Sequence, residues 1–280
     1  CRVIHQSLNG SQLKCQSQKI DRKFMLLKDK VCLILGAASL RSIGYGTAEL
    51  FAEHGAKVVV ADLKMDAETL NTVKSAIQSK VGSAVSVHGF SCDISKPRDC
   101  EQLVREVIAI HGTIDCLVNS AGIVKNIPIL ELAEKDLDLM FDINLKGAFY
   151  ICQSVLKVFV ENKSGTIVNV ASSAAQRGGG LVGGSHYAAS KGGMLSLTKS
   201  IAREFAALGI RANSICPAMI ETPMLDGLSE ERLKGIVDAI PLKRVGTTRE
   251  MAGACLFLSS ELSGFVTGSN IDVNGGTHIH

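Results

Sequence analysis

The chain has 280 residues, of which 46% are hydrophobic and 20% charged, with 27 glycines, five prolines and a formal net charge of +3. Residues 1–24 hold five of the 30 basic residues and one of the 27 acidic residues, so the remainder carries a net charge of −1. No basic surplus is left to attract a nucleic acid, and no apolar run approaches the ~18 residues of a membrane-spanning helix. We expect neither a nucleic-acid partner nor a membrane partner.

Residues 1–24 differ from the rest of the chain. They are polar, rich in Gln, Ser and Lys, and show neither helical nor strand periodicity, whereas an apolar pattern begins at Met25. We interpret 1–24 as a leader outside the fold, and 25–280 as one dinucleotide-binding domain with a small substrate lid around 220–240. Organelle targeting by the leader is an alternative, although it has few arginines and no amphipathic face. Its removal is expected to leave activity intact.

Nine cysteines are scattered along the chain without a Cys-x-x-Cys pair, several of them inside apolar runs. This pattern indicates small buried side chains in a reducing compartment rather than a metal or disulfide framework. We therefore expect a cytoplasmic protein.

From residue 30 onward, short apolar runs alternate with longer segments of helical periodicity. Runs rich in Val and Ile without polar alternation indicate parallel strands covered on both faces. The predicted strands are 31–35, 57–61, 85–90, 114–119, 166–171, 211–216 and 270–273, and the predicted helices are 45–54, 67–80, 98–111, 137–160, 187–208 and 249–259. Regular alternation predicts an α/β fold, a doubly wound seven-stranded parallel sheet with helices on both faces.

The first strand runs into a glycine-bearing turn, residues 36–46, followed by a helix. Gly36 permits a tight turn, and the helix N-terminus attracts a pyrophosphate. Asp62 ends the second strand, 26 positions after Gly36. A carboxylate there accepts both ribose hydroxyls of NAD and repels the 2′-phosphate of NADP. The pattern predicts NAD (NADH) as cofactor rather than NADP.

Tyr187-Ala-Ala-Ser-Lys191 is the strongest local signal of chemistry. Positions i and i+4 share a helix face, so the phenol and the ammonium point into one pocket. Carbonyl reduction needs a proton donor that serves as a base in the reverse reaction. A free tyrosine has a pKa near ~10, and a fixed ammonium, with the positive ring of NAD⁺, lowers it.

Together these motifs resemble the short-chain dehydrogenase/reductase family from Leu26 to about Gly276. The family's usual turn is Thr-Gly-x-x-x-Gly-x-Gly; here Leu35 replaces the Thr, the loop is two residues longer, and Ser42 stands at the middle glycine. This variant resembles the loop of enoyl-acyl-carrier-protein reductases. The resemblance implies a single-domain Rossmann fold, and commonly a homotetramer (or a homodimer).

The resemblance also implies further cofactor contacts. Asn119-Ser120-Ala121-Gly122 is similar to the family's Asn-Asn-Ala-Gly, and Ala218 replaces a customary glycine beside the nicotinamide. The expected cofactor-binding residues are Gly36, Ser42, Ile43, Asp62, Asp93, Ile94, Asn119, Ala121, Gly122, Tyr187, Lys191, Pro217, Ile220 and Thr222.

Two more side chains complete the expected catalytic set with Tyr187 and Lys191. Ser173, the second serine after the fifth strand, best fits the family's catalytic serine, and Ser172 is the alternative. A hydroxyl there holds the substrate oxygen. Asn144 matches the helix asparagine that holds a water linking the lysine to solvent.

Other features have two interpretations each. Residues 224–240 form either a lid over the substrate or a plain surface helix. Leu181 and Val182, in a glycine-rich loop, are expected to be an apolar pocket wall. His278 and His280 look like a metal pair, but no third ligand is near in sequence, so we expect a solvated tail and no metal.

The leading hypothesis is an NAD(H)-dependent oxidoreductase that interconverts a secondary alcohol and a ketone, with Tyr187 as general acid/base. The alternatives are a 3-oxoacyl-[acyl-carrier-protein] reductase, an enoyl reductase and a non-catalytic NAD-binding sensor. The Tyr-x-x-x-Lys spacing favours carbonyl chemistry, because enoyl reductases space that pair wider.

Overall fold

The computed structural model describes residues 25–179 and 183–280. The leader, residues 1–24, and the predicted pocket-wall residues Leu181 and Val182 lie outside the described residues.

Seven strands of the described chain form one parallel sheet in the order β3-β2-β1-β4-β5-β6-β7. β1 pairs with β2 on one side and with β4 on the other. The winding direction reverses between β1 and β4, and ligands bind at such switch points outside the carboxyl ends of the strands. The strands are β1 Val31–Leu35, β2 Lys57–Asp62, β3 Val87–Ser91, β4 Cys116–Asn119, β5 Gly165–Val170, β6 Ile210–Pro217 and β7 Asn270–Val273. The predicted fold class is confirmed.

Helices cover both faces of the sheet. They are α1 Ile43–Glu53, α2 Ala67–Val81, α3 Pro97–His111, α4 Glu134–Phe141, α5 Gly147–Asn162, α6 Ala174–Arg177, α7 Ser185–Phe205, α8 Glu230–Ala239 and α9 Thr248–Ser259. The predicted lid helix 224–240 is shorter in the structure: its first part is a short 3₁₀ turn, Pro223–Leu225, and α8 begins after Ser229, whose hydroxyl caps the N–H of Arg232.

Two hydrophobic cores lie on opposite faces of the sheet, and every residue of β1 is buried. Leu33 faces one core with residues of α3, α5 and α7. Ile34 faces the other core with residues of α1, α2 and α9. Successive strand residues point to opposite faces, so burial on both sides explains why β1 is apolar without alternation.

The predicted helix 137–160 begins earlier and is interrupted. A π-helical segment, Asp142–Lys146, separates α4 from α5. The run Glu134–Asn162 is the one helix of the described chain that is long and apolar enough to cross a membrane, and half of its apolar 18-residue window is buried in the fold. Core helices of globular proteins meet the same criterion.

Candidate active site

A cavity of about 530 Å³ opens at the carboxyl ends of the strands, within the size range of small-molecule sites. It gathers many of the residues singled out from sequence: Ser42, Ile43, Gly122, Ser172, Ser173, Tyr187, Lys191, Pro217, Ile220 and Thr222. Met219, Ile236 and Ile240 add apolar walls that no motif predicted. The cavity therefore joins the predicted catalytic residues to the lid segment.

The glycine turn packs against the end of β4 so tightly that side chains are excluded. Gly36 has φ +77°, and a Cβ there would lie 2.8 Å from the Ser120 backbone. A Cβ on Gly44 would lie 2.4 Å from the Gly36 carbonyl oxygen. The Ser120 hydroxyl donates to the Leu35 carbonyl at 2.5 Å. The loop is held by β4 with its backbone close to the crevice.

The N-terminus of α1 meets the cavity at Ser42 and Ile43. The Ser42 hydroxyl accepts the Tyr45 N–H at 3.0 Å and so caps the helix. The first N–H groups of a helix have no intrahelical acceptor and carry the positive end of its dipole. This end of α1 suits a pyrophosphate.

The Asp62 side chain is hydrogen-bonded to the backbone of the glycine turn. One carboxylate oxygen accepts the Ala38 N–H at 3.1 Å and the other accepts the Lys64 N–H at 3.1 Å. These bonds hold the acid at the end of β2, next to the turn, although it does not line the cavity. The position matches that of a ribose-binding acid.

Asp93 and Ile94, the cofactor-binding residues predicted after β3, lie outside the cavity lining. The Asp93 carboxylate accepts from the Ser95 hydroxyl at 2.6 Å and lies 3.2 Å from the Lys96 ammonium. These contacts, the Ser95 bond first, lower the pKa of Asp93. Ile94 is buried in the core. Their cofactor contacts stay predictions.

Asn119 and Ala121 have structural contacts in the described residues. The Asn119 amide donates to Asn169 Oδ1 at 3.4 Å, linking β4 to β5, and its own buried Oδ1 has no partner there. Ala121 packs on the core. Their cofactor contacts likewise stay predictions.

Tyr187 lies near the start of α7, with its ring against the backbone of Gly183, where a Cβ would lie 2.2 Å from the ring. Burial raises the pKa of Tyr187, and a hydrogen bond with Ser172 opposes that rise. The phenol is therefore protonated at neutral pH in this state, as a proton donor must be.

Ser172, the alternative, rather than the first-choice Ser173, is the hydrogen-bond partner that opposes the rise in the pKa of Tyr187. The predicted strand ran to residue 171, whereas β5 ends at Val170. Ser172 therefore follows the strand closely, and its Oγ accepts the Ala174 N–H at 3.1 Å. Ser173 immediately precedes α6, and its backbone N–H donates to the Pro217 carbonyl at 2.9 Å. The effect on the pKa of Tyr187 favours Ser172, and which serine holds the substrate oxygen stays a prediction.

Lys191 is buried beneath the cavity, and its ammonium donates to the Val170 carbonyl at 2.8 Å. Burial lowers the pKa of Lys191 to about 8. We expected Lys191 to lower the pKa of Tyr187, but burial dominates that phenol in the structure. The expectation also included the positive ring of NAD⁺, so the lowering of the phenol's pKa stays a prediction.

Asn144 lies in the π-helical segment and is fully buried. Its amide oxygen accepts the Ile123 N–H at 2.8 Å, and its amide nitrogen donates to the Ile123 carbonyl at 2.9 Å. A Cβ on Gly122 would lie 3.0 Å from Asn144 Oδ1 and 3.4 Å from Lys191 Nζ. Asn144 fixes the loop beside the lysine; the expected water relay stays a prediction.

The segment after β6 lines the cavity through Pro217, Ile220 and Thr222. The Thr222 hydroxyl donates to the Ile220 carbonyl at 3.3 Å. Ala218 is not among the residues with positive φ, so the loss of the family's glycine there causes no backbone strain.

An ion pair that sequence reasoning missed connects the glycine turn to the lid segment. Both terminal nitrogens of the Arg41 guanidinium donate hydrogen bonds to the Asp226 carboxylate, at 3.0 and 2.9 Å. The two residues are 185 positions apart, and no sequence signal links them.

These features fit a dinucleotide. A parallel sheet with a glycine turn, a helix N-terminus and an acid after β2, all at the switch point, defines a nucleotide-binding oxidoreductase of the Rossmann type. The tight contacts of Gly36 and Gly44 leave the backbone free to approach a pyrophosphate.

Comparisons with known proteins agree with this class. The family model described as Enoyl-(Acyl carrier protein) reductase matches residues 36–278. A short-chain type dehydrogenase/reductase of Sinorhizobium fredii is 41% identical over 91% of this chain and 100% of its own length. The 3-oxoacyl-[acyl-carrier-protein] reductase of Thermotoga maritima is 37% identical over 91% of this chain and 100% of its own.

The crystal structure of gox2181 superposes with a TM-score of 0.84 at 29% identity, covering 92% of this chain and 99% of that one. The chain belongs to the short-chain dehydrogenase/reductase family and is an oxidoreductase.

Proposed function

We propose that the protein is an NAD(H)-dependent oxidoreductase that interconverts a secondary alcohol and a ketone, with Tyr187 as general acid/base. The observation that carries the proposal is one largely apolar cavity lined by Tyr187, Ser172 and Lys191, with the buried Lys191 ammonium donating to the Val170 carbonyl. A protonated phenol and a hydroxyl converging at one cavity suit a carbonyl oxygen that gains a proton.

Each side chain has one task in carbonyl reduction. The Tyr187 hydroxyl gives its proton to the substrate oxygen, and Ser172 donates a hydrogen bond to the same oxygen. The nicotinamide supplies hydride when bound, and accepts it in alcohol oxidation. Pro217, Ile220 and Thr222 would hold the nicotinamide end of the cofactor, while Ser42, Ile43 and Asp62 would hold the pyrophosphate and ribose.

The second candidate function is a 3-oxoacyl-[acyl-carrier-protein] reductase. It is favoured by the relative from Thermotoga maritima, which carries that name at 37% identity. Enoyl reduction is the third candidate, suggested by the description of the family model.

Initial rates with NADH and NADPH distinguish these activities. We expect oxidation of NADH with simple ketones, and reduction of NAD⁺ with secondary alcohols such as steroids, polyols, hydroxy acids or cyclic alcohols. Turnover confined to acetoacetyl thioesters would favour the second candidate, and turnover confined to enoyl thioesters the third. NADH binding without turnover of any ketone, acetoacetyl thioester or enoyl thioester would contradict all three enzymatic candidates and favour a sensor.

Replacing Asp62 by Asn is expected to reduce the preference for NADH over NADPH by at least about tenfold in kcat/KM. The neutral amide no longer repels a 2′-phosphate and accepts the ribose hydroxyls less well. The measurement is kcat/KM with both cofactors at one saturating substrate concentration. Glu68→Gln, which removes an exposed acid from α2, is the matched control and should leave the ratio unchanged. An unaltered ratio in Asp62→Asn would contradict the NAD assignment.

Replacing Ser172 by Ala is expected to lower kcat by about 100-fold or more, because one hydrogen-bond donor to the reacting oxygen is lost. Ser173→Ala is the matched control: it removes the same hydroxyl one residue away, and should change kcat less than about threefold. Circular dichroism and Tm establish that both variants fold. The reverse ranking of the two variants would restore Ser173 as the serine of the site.

We also propose a homotetramer and a cytoplasmic location. Leu137, Leu139 and Phe149 are exposed apolar side chains on the run α4–α5, and such side chains support association through these helices. The seven cysteines of the described residues are free and buried, which suits a reducing compartment.

A further inference from the structure

The segment after β7 brings two histidines beside an acid from the sheet. One ligand atom each from Asp272, His278 and His280 lie within 4.8 Å of one another. His280 Nε2 lies 3.1 Å from an Asp272 carboxylate oxygen, and the two imidazole rings have centroids 4.7 Å apart. The sequence predicts no metal because no third ligand is near the two histidines in sequence. In the structure, the turn after β7 brings both histidines next to Asp272, which is a possible third ligand.

A tight turn holds the histidines in this place. Gly275 and Gly276 have φ of +64° and +85°, a conformation in which a side chain would be strained. The Asn274 side chain accepts the Gly276 N–H at 2.9 Å and donates to the His278 carbonyl at 3.1 Å. Asp272 is fixed within β7, paired in register with Cys216. The cluster is therefore held in the fold before any ligand arrives.

Gln176 on α6 completes the cluster. Its amide nitrogen donates to Asp272 at 2.9 Å and lies 3.2 Å from His280 Nε2, while its buried amide oxygen has no partner among the described residues. Rotation of the amide by half a turn exchanges oxygen for nitrogen at nearly the same positions. That rotation would turn the unpartnered oxygen toward the two side chains and supply a fourth ligand atom.

We propose that Asp272, His278 and His280 bind a divalent transition-metal ion of the zinc class. Imidazole nitrogen and carboxylate oxygen are ligands for Zn²⁺, whereas Mg²⁺ prefers an octahedral shell of oxygens. Ligand atoms of a tetrahedral zinc ion lie roughly 3.4 Å apart, so movements of about 1 Å close the site. The site is structural, since none of its ligands belongs to the proposed chemistry of Tyr187.

Metal binding would hold the segment after β7 against the wall of the cavity. Thr277, immediately before His278, lines the cavity, and Gln176 lies on α6, four positions after Ser172. A bound ion would tie β7, the terminal turn and α6 together. We expect the folded state to gain stability from Zn²⁺ by mass action.

Equilibrium dialysis of the full chain against Zn²⁺, with elemental analysis, tests the proposal. We expect one Zn²⁺ that is lost, or bound at least tenfold more weakly, in both His280→Ala and Asp272→Asn. At Zn²⁺ a hundredfold above its Kd, Tm should rise by about 5 °C or more in the unaltered protein, and the rise should disappear in His280→Ala. Mg²⁺ at the same concentration should give neither effect.

His111→Gln is the matched control, because His88 and His111 form the other pair of adjacent imidazoles in the described chain, with ring nitrogens 3.1 Å apart. It should keep the Zn²⁺ and the rise in Tm. His280 is largely exposed, so His280→Ala should fold even if Asp272→Asn does not. Absence of Zn²⁺ binding, or binding retained in His280→Ala and lost in His111→Gln, would overturn the proposal.

Discussion

Tyr187→Phe is expected to lower kcat by about 10²- to 10⁴-fold, the usual contribution of a positioned general acid. Phenylalanine keeps the ring that packs against Gly183 and removes only the hydroxyl that contacts Ser172. NADH binding should stay within about twofold of its original Kd. The measurements are kcat with the best ketone found in the panel, and the Kd for NADH by fluorescence titration.

Tyr150→Phe is the matched control, because it removes a phenol from α5, outside the described lining of the cavity. It should retain more than half of the original kcat. Near-full turnover by Tyr187→Phe, with a substrate on which the unaltered enzyme is active, would contradict the assigned acid/base.

Lys191→Met is expected to lower kcat by about 100-fold or more and, at the same time, to stabilise the fold at neutral pH. Burial lowers the pKa of Lys191 from 10.5 to about 8, so keeping the ammonium charged inside the protein costs roughly 3 kcal/mol. Methionine fills the site without that cost, although the Val170 carbonyl loses a donor, worth about 1 kcal/mol. The net gain in the free energy of unfolding is about 2 kcal/mol.

The pH dependence identifies the cause of that gain. Between pH 8 and 10.5 the unfolded chain binds a proton at Lys191 that the folded protein does not, so the unaltered protein becomes more stable as pH rises through this window. The advantage of Lys191→Met should therefore be largest below pH 8 and nearly absent above pH 10.5.

Urea unfolding at pH 7 and pH 10 measures the difference. Lys199→Met, an exposed lysine on the same helix, is the control and should change stability by less than about 0.5 kcal/mol at either pH. A Lys191→Met protein that is less stable at pH 7, or whose advantage does not shrink at pH 10, would show that the buried charge is not costly.

The architecture was predictable because each strand is buried on both faces. Burial on both faces makes β1 a continuous apolar run, and packing against the sheet gives each helix regularly spaced apolar residues. Both patterns are visible in short stretches of the sequence. The positions of Gly36, Tyr187 and Lys191 at one crevice follow from that architecture, since the carboxyl ends of parallel strands meet at one edge.

Details set by single residues or by distant contacts were not predictable. The interaction of Tyr187 with Ser172, the alternative serine, depends on how the end of β5 meets α7, and sequence spacing does not reveal it. The pair Arg41–Asp226 and the cluster of Asp272 with two histidines depend on tertiary folding and leave no periodic signal.

The expected effect of Lys191 on the phenol includes the positive ring of NAD⁺ and stays a prediction. Sequence spacing placed the ammonium on the correct helix face, but its hydrogen-bond partner, the Val170 carbonyl, belongs to β5. Burial, which spacing does not reveal, is the main cause of the pKa shifts of both residues.

The central claim is that the phenol of Tyr187 gives a proton to a carbonyl oxygen beside the nicotinamide. A crystal structure with NADH and an unreactive ketone analogue tests it most directly. The account predicts Tyr187 Oη within about 3.2 Å of the analogue's oxygen, with Ser172 Oγ at a similar distance and the reactive ring carbon facing the carbonyl. A phenol turned to solvent, or lying on the far side of the cavity from the ring, would contradict it.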